Sequence, residues 1–284
     1  MKKIIVIPNP TRDGGLAVTH KIISMLNTLG ISAYVDASFE IVADGLTYYT
    51  ELPSDADMII VVGGDGSVID ASAVAIKLDI PLLGVNLGKV GYLSELEPDA
   101  LPTLSRLVSG EYTVESKMLL CAELVSESGE ILRSEHLAVN DVVISQDRDL
   151  GIAAFCVRNG RGEEVNYRAN GVILATPVGS TAYSLSAGGP VIAHNLNSIT
   201  VTPVCPHSFF NRSIVYEPDE RITVINTGET PLNVSLDGRG FAVIKRGESC
   251  RTYRSLHNLK MITFSESNMF ATLFRKIKFF ENQY

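Results

Sequence analysis

The chain has 284 residues, 45% of them hydrophobic and 20% charged, with a formal net charge of -8. That length admits about two domains with buried cores, while the acidic balance argues against a wholesale nucleic-acid binder, which needs a basic surface. No apolar run approaches the ~18 residues of a membrane span. The four cysteines, Cys121, Cys156, Cys205 and Cys250, form no C-x-x-C pair, so neither a zinc site nor a redox motif is indicated and a reducing cytoplasm is expected.

After Met1-Lys2-Lys3 the apolar run Ile4–Ile7 stops at Pro8. A signal peptide needs roughly 7–15 apolar residues, so this is a short buried strand. Leu16, Thr19, Ile22, Ile23, Leu26 and Leu29 recur at helical spacing, and Gly30 supplies the stop. Ile31–Val35, Met58–Val62 and Pro81–Val85 read as further strands, Ser67–Lys77 and Leu101–Val108 as helices. Strand-helix alternation over residues 1–117 predicts a Rossmann-like, doubly wound α/β domain. From 118 to 264 the texture changes. Leu119–Val125, Glu130–Arg133, Val142–Ser145, Ile152–Val157, Val172–Ala175, Ile199–Pro203, Ile222–Ile225, Leu232–Leu236 and Met261–Phe264 are short and rich in Val, Ile and Thr, with Gly, Asn and Asp between them. That pattern predicts an all-β, sandwich-like domain. In 265–284, Met269, Leu273, Ile277 and Phe280 are spaced for a C-terminal closing helix packed back on the α/β domain. Arg275-Lys276-Ile277-Lys278 is its solvated face, not a membrane patch. No long linker separates the halves, so a ligand cleft between them is expected.

Gly63-Gly64-Asp65-Gly66-Ser67 joins the most hydrophobic strand to a helix. Glycines let backbone approach an anion, and a helix N-terminus offers N–H groups and positive dipole. The loop matches neither G-x-G-x-x-G nor the P-loop pattern. From the loop alone two readings stay open, a phosphate cradle formed by Gly63, Gly64 and Gly66, and a tight turn in which Asp65 only caps the helix. A carboxylate beside phosphates makes sense where it takes a proton or faces a divalent metal.

Arg168 to Pro190 is the most informative stretch: a buried strand, a Thr176-Pro177-Val178-Gly179 turn, then small hydroxyl residues around Tyr183. Such a mixture can hold a purine by edge and face, or it can be a crowded β-corner. No G-x-S-x-G elbow marks an acyl hydrolase. With Gly63–Gly66, Asn86-Leu87-Gly88, Gly91-Tyr92-Leu93, Asn140-Asp141, the Thr176–Pro190 block, and Pro206-His207-Ser208 with Arg212, the sequence resembles the bacterial-type NAD kinases over most of its length. The glycine loop is shared with lipid kinases and phosphofructokinases. The Thr-Pro-x-Gly-Ser-Thr-Ala-Tyr block is far more specific.

The resemblance implies phosphoryl transfer from ATP, or from polyphosphate in some members, to the 2′-hydroxyl of the adenosine ribose of NAD, with a divalent metal, usually Mg²⁺, on the donor phosphates. Asp65 matches the family's general base, and Gly66 accompanies it in contacts to NAD and phosphate. Asn140 and Asp141 match the pair that reaches the adenosine of NAD. Thr181, Ala182, Tyr183, Ser184, Leu185 and Ser186 match the adenine-binding stretch. Arg168 and Asn170 match positions near nicotinamide, and Arg239 a further NAD contact. No protein metal ligand is implied. Family members are commonly homotetramers, dimers of dimers, with NAD sites built from two subunits. Three positions depart from the family pattern: Asp141 stands for Glu, Asn170 for Asp, and Val178 for Thr. A lipid kinase would want an apolar cavity or membrane-facing patch, and a silent NAD sensor would have no need of Asp65. Asp237-Gly238 reads as a hairpin turn before a ligand contact, His207 as a structural histidine, Lys89 as a solvated lysine, and Tyr92 as a cleft-lining or core residue.

Overall fold

Short, fully apolar strands alternating with amphipathic helices build the first of two units, Met1–Ser116 with Leu259–Tyr284. The computed structural model describes residues 2–88, 91–146, 151–207, 209–264 and Phe274. Phe274 apart, the expected closing helix lies outside those residues, as do Lys89 and Ser208. The elements are β1 (Lys3–Pro8), α1 (Ala17–Thr28), β2 (Ser32–Asp36), β3 (Leu46–Tyr49), β4 (Met58–Gly63), α2 (Asp65–Leu78), β5 (Leu82–Asn86) and α3 (Arg106–Ser109). The strands pair in the order β3-β2-β1-β4-β5, all parallel. That is the Rossmann arrangement anticipated from the alternation, and its order reverses between β1 and β4. Every residue of β4 is buried. Each of its large side chains contributes ~1.5–3 kcal/mol by leaving water. α1 buries Thr19, Ile22, Ile23 and Leu26 on one stripe, and Gly30, at φ +71°, ends it. The helix expected over Leu101–Val108 is mostly a 3-10 segment, Pro98–Ser105. Pro102, inside it, removes a backbone donor that a regular helix needs.

The second unit, Lys117–Asn258, holds β6 (Thr113–Val125, from Lys117 on), β7 (Ile131–Ala138), β8 (Asp141–Gln146), β9 (Ala153–Arg158), β10 (Glu164–Ala169), β11 (Gly171–Ala175), α4 (Tyr183–Ser186), β12 (Ile199–Val204), β13 (Ile214–Tyr216), β14 (Ile222–Asn226), β15 (Leu232–Leu236), β16 (Arg239–Ile244) and the first part of β17 (Ser249–Thr263). One sheet runs β10-β9-β14-β17, with β6 joined to β17 and to β7. The other runs β13-β12-β11-β8-β15-β16, antiparallel throughout. Leu120, Phe155, Val157 and Val224 from the first sheet share one core with Ile144, Val172, Leu174 and Val234 from the second. This is the sandwich the short Val- and Ile-rich runs predicted. On the other face of the second sheet Val143, Ile173 and Ala175 pack with Ala187. β11 is therefore buried on both faces and reads as an unbroken apolar run.

Met261–Phe264, grouped above with the β-rich domain, ends the 15-residue strand β17 and extends just past it. Met261 pairs in parallel with Leu82 of β5, and the chain from Leu259 belongs with the first unit. Among the described residues no helix is long and apolar enough to cross a membrane.

Candidate functional site

β4 delivers Gly63-Gly64-Asp65-Gly66 to the carboxyl edge of the parallel sheet, where ligands of this fold class bind. Gly64 is the N-cap of α2 in an extended conformation, and its carbonyl accepts from the N–H groups of Ser67 (2.9 Å) and Val68 (3.2 Å). The helix thus starts at Asp65, two residues earlier than its apolar spacing indicates, and its positive end faces the loop. Asp65 Oδ2 accepts from Tyr92 N–H at 2.9 Å, and Oδ1 from Leu93 N–H at 3.0 Å. A Cβ on Gly91 would lie 2.7 Å from Oδ1, so only glycine lets that segment close on the carboxylate. Tyr92, ambiguous in the sequence, contributes its amide here. These two amides fix the orientation of the carboxylate.

Two neighbouring loops brace this one. Asn9, after β1, donates through Nδ2 to Ser67 Oγ at 2.7 Å, and its Oδ1 accepts from Thr11 N–H at 3.1 Å. Asn86, at the end of β5, accepts from Gly88 N–H and donates to Glu97, each at 3.0 Å. Leu87 N–H donates to Gly63 O at 2.8 Å.

In the second unit a separate constellation forms where β8 begins and β11 ends. Thr176 is wholly buried. Its hydroxyl donates to Val139 O at 2.7 Å and accepts from Gly179 N–H at 3.0 Å. Thr176 N–H donates to Asn140 O at 2.9 Å. A Cβ on Gly179 would stand 1.9 Å from Asn140 O, so the Thr-Pro-x-Gly turn lies directly against Asn140. The third support is Asp237. Its carboxylate accepts from the N–H groups of Val139 (2.8 Å), Asn140 (2.7 Å) and Asp141 (3.1 Å). Asp237 and Gly238 both have positive φ, 48° and 78°, the two-residue turn with left-handed geometry that Asp-Gly favours. The hairpin reading therefore holds, and the same aspartate also organises the Asn140-Asp141 corner. Nothing in the local sequence signals this, because its three donors come roughly a hundred residues earlier.

Asp141 is buried, and burial first, then the nearby Asp237 charge, push its carboxyl up to about 7. Burial also raises Asp237, against the lowering effect of its three amides.

The 181–186 stretch divides by exposure. Tyr183, Leu185 and Ser186 face solvent, Ala182 is half-buried, and Thr181 and Ser184 are buried. The Thr181 hydroxyl turns back to Val178 O at 3.0 Å. Ser184 joins Thr202 at 3.1 Å, and Thr202 joins Ser213 at 2.9 Å, in a chain of hydroxyls. The inward hydroxyls hold the segment and the outward side chains present a surface. Arg239 opens β16 beside the Asp237 turn and is exposed. Arg168 and Asn170 are also exposed, at the other end of β11 from Thr176. His207 N–H donates to Arg168 O at 2.7 Å, and Gln146 Nε2 donates to Asn170 Oδ1 at 3.2 Å. Asn140, Asp141 and residues 176–186 are thus gathered together, while Arg168 and Asn170 form a second corner.

Residues 4–112 match the family model for the ATP-NAD kinase N-terminal domain, and residues 125–264 that for the ATP-NAD kinase C-terminal domain. An NAD kinase of Caldanaerobacter subterraneus subsp. tengcongensis is 35% identical over 285 residues, 98% of this chain and 99% of the relative. One from Geobacter sulfurreducens is 34% identical over 99% of this chain and 100% of the relative. In fold the chain is similar to a yeast NADH kinase complexed with NADH, with a TM-score of 0.80 and 20% identity over 96% of this chain and 86% of that one. It is also similar to an NAD kinase from Archaeoglobus fulgidus in complex with ATP, with a TM-score of 0.72 and 23% identity over 96% and 99% of the two chains.

Proposed function

The chain belongs to the ATP-NAD kinase family and phosphorylates NAD with ATP, and we propose that Asp65 takes the proton from the 2′-hydroxyl of the adenosine ribose as that oxygen attacks the γ-phosphorus and the bond to the bridging oxygen breaks, releasing ADP. The observation that carries this is the Asp65 carboxylate, held by two backbone amides at the N-terminus of α2 within a glycine loop. Gly63, Gly64 and Gly66 offer the donor phosphates backbone rather than side chains, and the start of α2 adds the positive end of its dipole. A loop that grips phosphates and not a base would take inorganic polyphosphate as well as ATP.

Asn140, Asp141 and the exposed Tyr183, Leu185 and Ser186 are assigned to the adenosine of NAD, with the Tyr183 ring as packing surface. Ser184 and Thr181 serve through backbone and packing, since their hydroxyls are already used. Arg239 lies close by in sequence to the Asp237 turn and would add a donor. Arg168 and Asn170 are assigned to the nicotinamide end. Asn170 sits about 20 Å from Thr176 along β11, at ~3.3 Å per residue, with Arg168 two residues before it on β10. A homotetramer in which a neighbouring subunit supplies this corner explains the division. The exposed Phe209 and Phe210, which follow His207 in the chain, give such a contact an apolar surface.

Among the described residues no group of three or more His, Cys, Asp and Glu side chains is assembled for a metal. A divalent ion, Mg²⁺ in this reading, would arrive on the donor phosphates. Bound there, it would neutralise phosphate charge. The four cysteines, none in a disulfide, fit a reducing cytoplasm.

The test is NADP formation from NAD and ATP by purified protein and its Asp65→Asn variant. Loss of a general base lowers kcat ~10²–10⁴-fold, with KM for NAD little changed. A variant keeping more than half the wild-type kcat at saturating substrates removes Asp65 from the proton transfer.

A further inference from the structure

The parallel sheet reverses its order between β1 and β4, and the two loops that flank this switch point are joined by the Asn9–Ser67 hydrogen bond. The loop after β4 is the glycine loop. The loop after β1 carries Arg12, whose Nη1 lies 3.6 Å from where a Cβ on Gly88 would stand; the same position is 3.8 Å from Gly64 Cα. The guanidinium is thus next to the loops that end β4 and β5. Arg12 is exposed, and among the described residues it pairs with no carboxylate. Its neighbour Asp13 cannot neutralise it. That carboxylate is buried and accepts from Val18 N–H (3.0 Å), Thr19 N–H (2.8 Å) and Thr19 Oγ1 (2.7 Å), so that it anchors the start of α1. The Asp65 carboxylate is turned toward Tyr92 and Leu93.

A cation kept free of carboxylates beside a glycine loop is suited to a polyanion. We propose that Arg12 binds the phosphate chain of the ATP donor, closing the side of the cradle opposite α2. This rests on the reading of Gly63–Gly66 as the donor-phosphate loop. The planar guanidinium can give two parallel N–H bonds to phosphate oxygens, whereas a lysine in its place offers a point charge. No proton or covalent bond changes hands at Arg12. It is a binding residue for the donor and not for NAD.

The experiment compares Arg12→Ala, Arg12→Lys and Gly64→Val with the full-length wild type, using Mg·ATP and NAD in steady-state kinetics and Mg·ATP alone in titration calorimetry. Gly64 has extended backbone, and a Cβ there meets nothing within 4 Å, so valine crowds the cradle without disturbing the fold. Arg12→Ala should raise KM and Kd for ATP ~10–100-fold, the value of a charge-assisted contact. KM for NAD should stay within about twofold. Arg12→Lys should recover part of the loss, which a structural role for the arginine would not require. Unchanged ATP binding in Arg12→Ala while Gly64→Val weakens it overturns the assignment of Arg12. So does a rise in KM for NAD with ATP unaffected. If neither variant alters ATP binding, the loop reading itself falls.

Discussion

Asp237→Asn isolates the support under the Asn140-Asp141 corner. Asparagine keeps the shape and tolerates the positive φ. Its Oδ1 can still accept from Asn140 and Asp141, but an amide group then faces Val139 N–H, which has been bonded at 2.8 Å. One buried donor is left without an acceptor, at ~1–3 kcal/mol. Removing a carboxylate whose ionisation burial disfavours offsets part of this. The expected net is a loss of ~1–2 kcal/mol, read as a fall in Tm of roughly 3–8 °C. Displacement of the corner should raise KM for NAD ~5–30-fold, with kcat nearly constant because Asp65 belongs to the other unit. The pH dependence gives a second readout. Asp141 titrates near 7 in the folded chain instead of at its ordinary 3.8. Between those values the folded state holds a proton that the unfolded state has released, so the stability this group confers falls as pH rises from ~4 to ~7. The second cause of the shift is Asp237. In Asp237→Asn the decline should end at a lower pH, and in Asp141→Asn only the part that Asp237 contributes should remain. Denaturant titrations across that range measure it. Wild-type Tm, KM and pH dependence in Asp237→Asn would refute the positioning role.

Gly179→Ala should be poorly tolerated, because its methyl would meet the Asn140 carbonyl at 1.9 Å; thermal melts should show a large destabilisation and activity assays a raised KM for NAD. Thr202→Val breaks the Ser184–Thr202–Ser213 chain and should cost ~1–3 kcal/mol, with KM for NAD rising more than kcat falls. Asn170→Asp restores a charge where Gln146 already donates at 3.2 Å; KM for NAD should fall roughly fivefold with kcat unmoved, and the preference for NAD over NADH should rise because only the oxidised ring is cationic. Sedimentation should give a species well above the 30.7 kDa of one chain; a fully active monomer at nanomolar concentration would defeat the shared-site proposal.

The strand before the glycine loop was legible because a doubly buried strand has no polar residue to interrupt it. The exact start of α2 was less so, since an extended glycine can serve as N-cap without a capping side chain. β10 and β16 escaped notice for a different reason. Burial in β10 alternates, as in Glu164-Val165-Asn166-Tyr167-Arg168-Ala169, where Arg168 read as a ligand contact, and β16 carries no strict alternation at all. The Asp237-Gly238 turn signal pointed to β16, which pairs with β15 directly across it. The Thr176–Ser186 block announced a site. It could not announce that Ser184 points inward, because that depends on the hydroxyls of Thr202 on β12 and of Ser213. Asp237 was invisible as a support because its three partners are distant in the chain.

β17 supplies strand to both units, and its last residues add to the parallel sheet beside β5 through Met261 and Leu82. During synthesis the first ~116 residues leave the ribosome with that edge of their sheet open. The edge is filled only after the whole β-rich unit has been made. Folding of the glycine loop's own scaffold therefore waits on residues that follow the whole β-rich unit, a high-contact-order closure that is slow and leaves a parallel edge exposed in the interim. Cutting the chain after Asn258 would strip the first unit of this strand even though every residue of the Gly63–Gly66 loop remained.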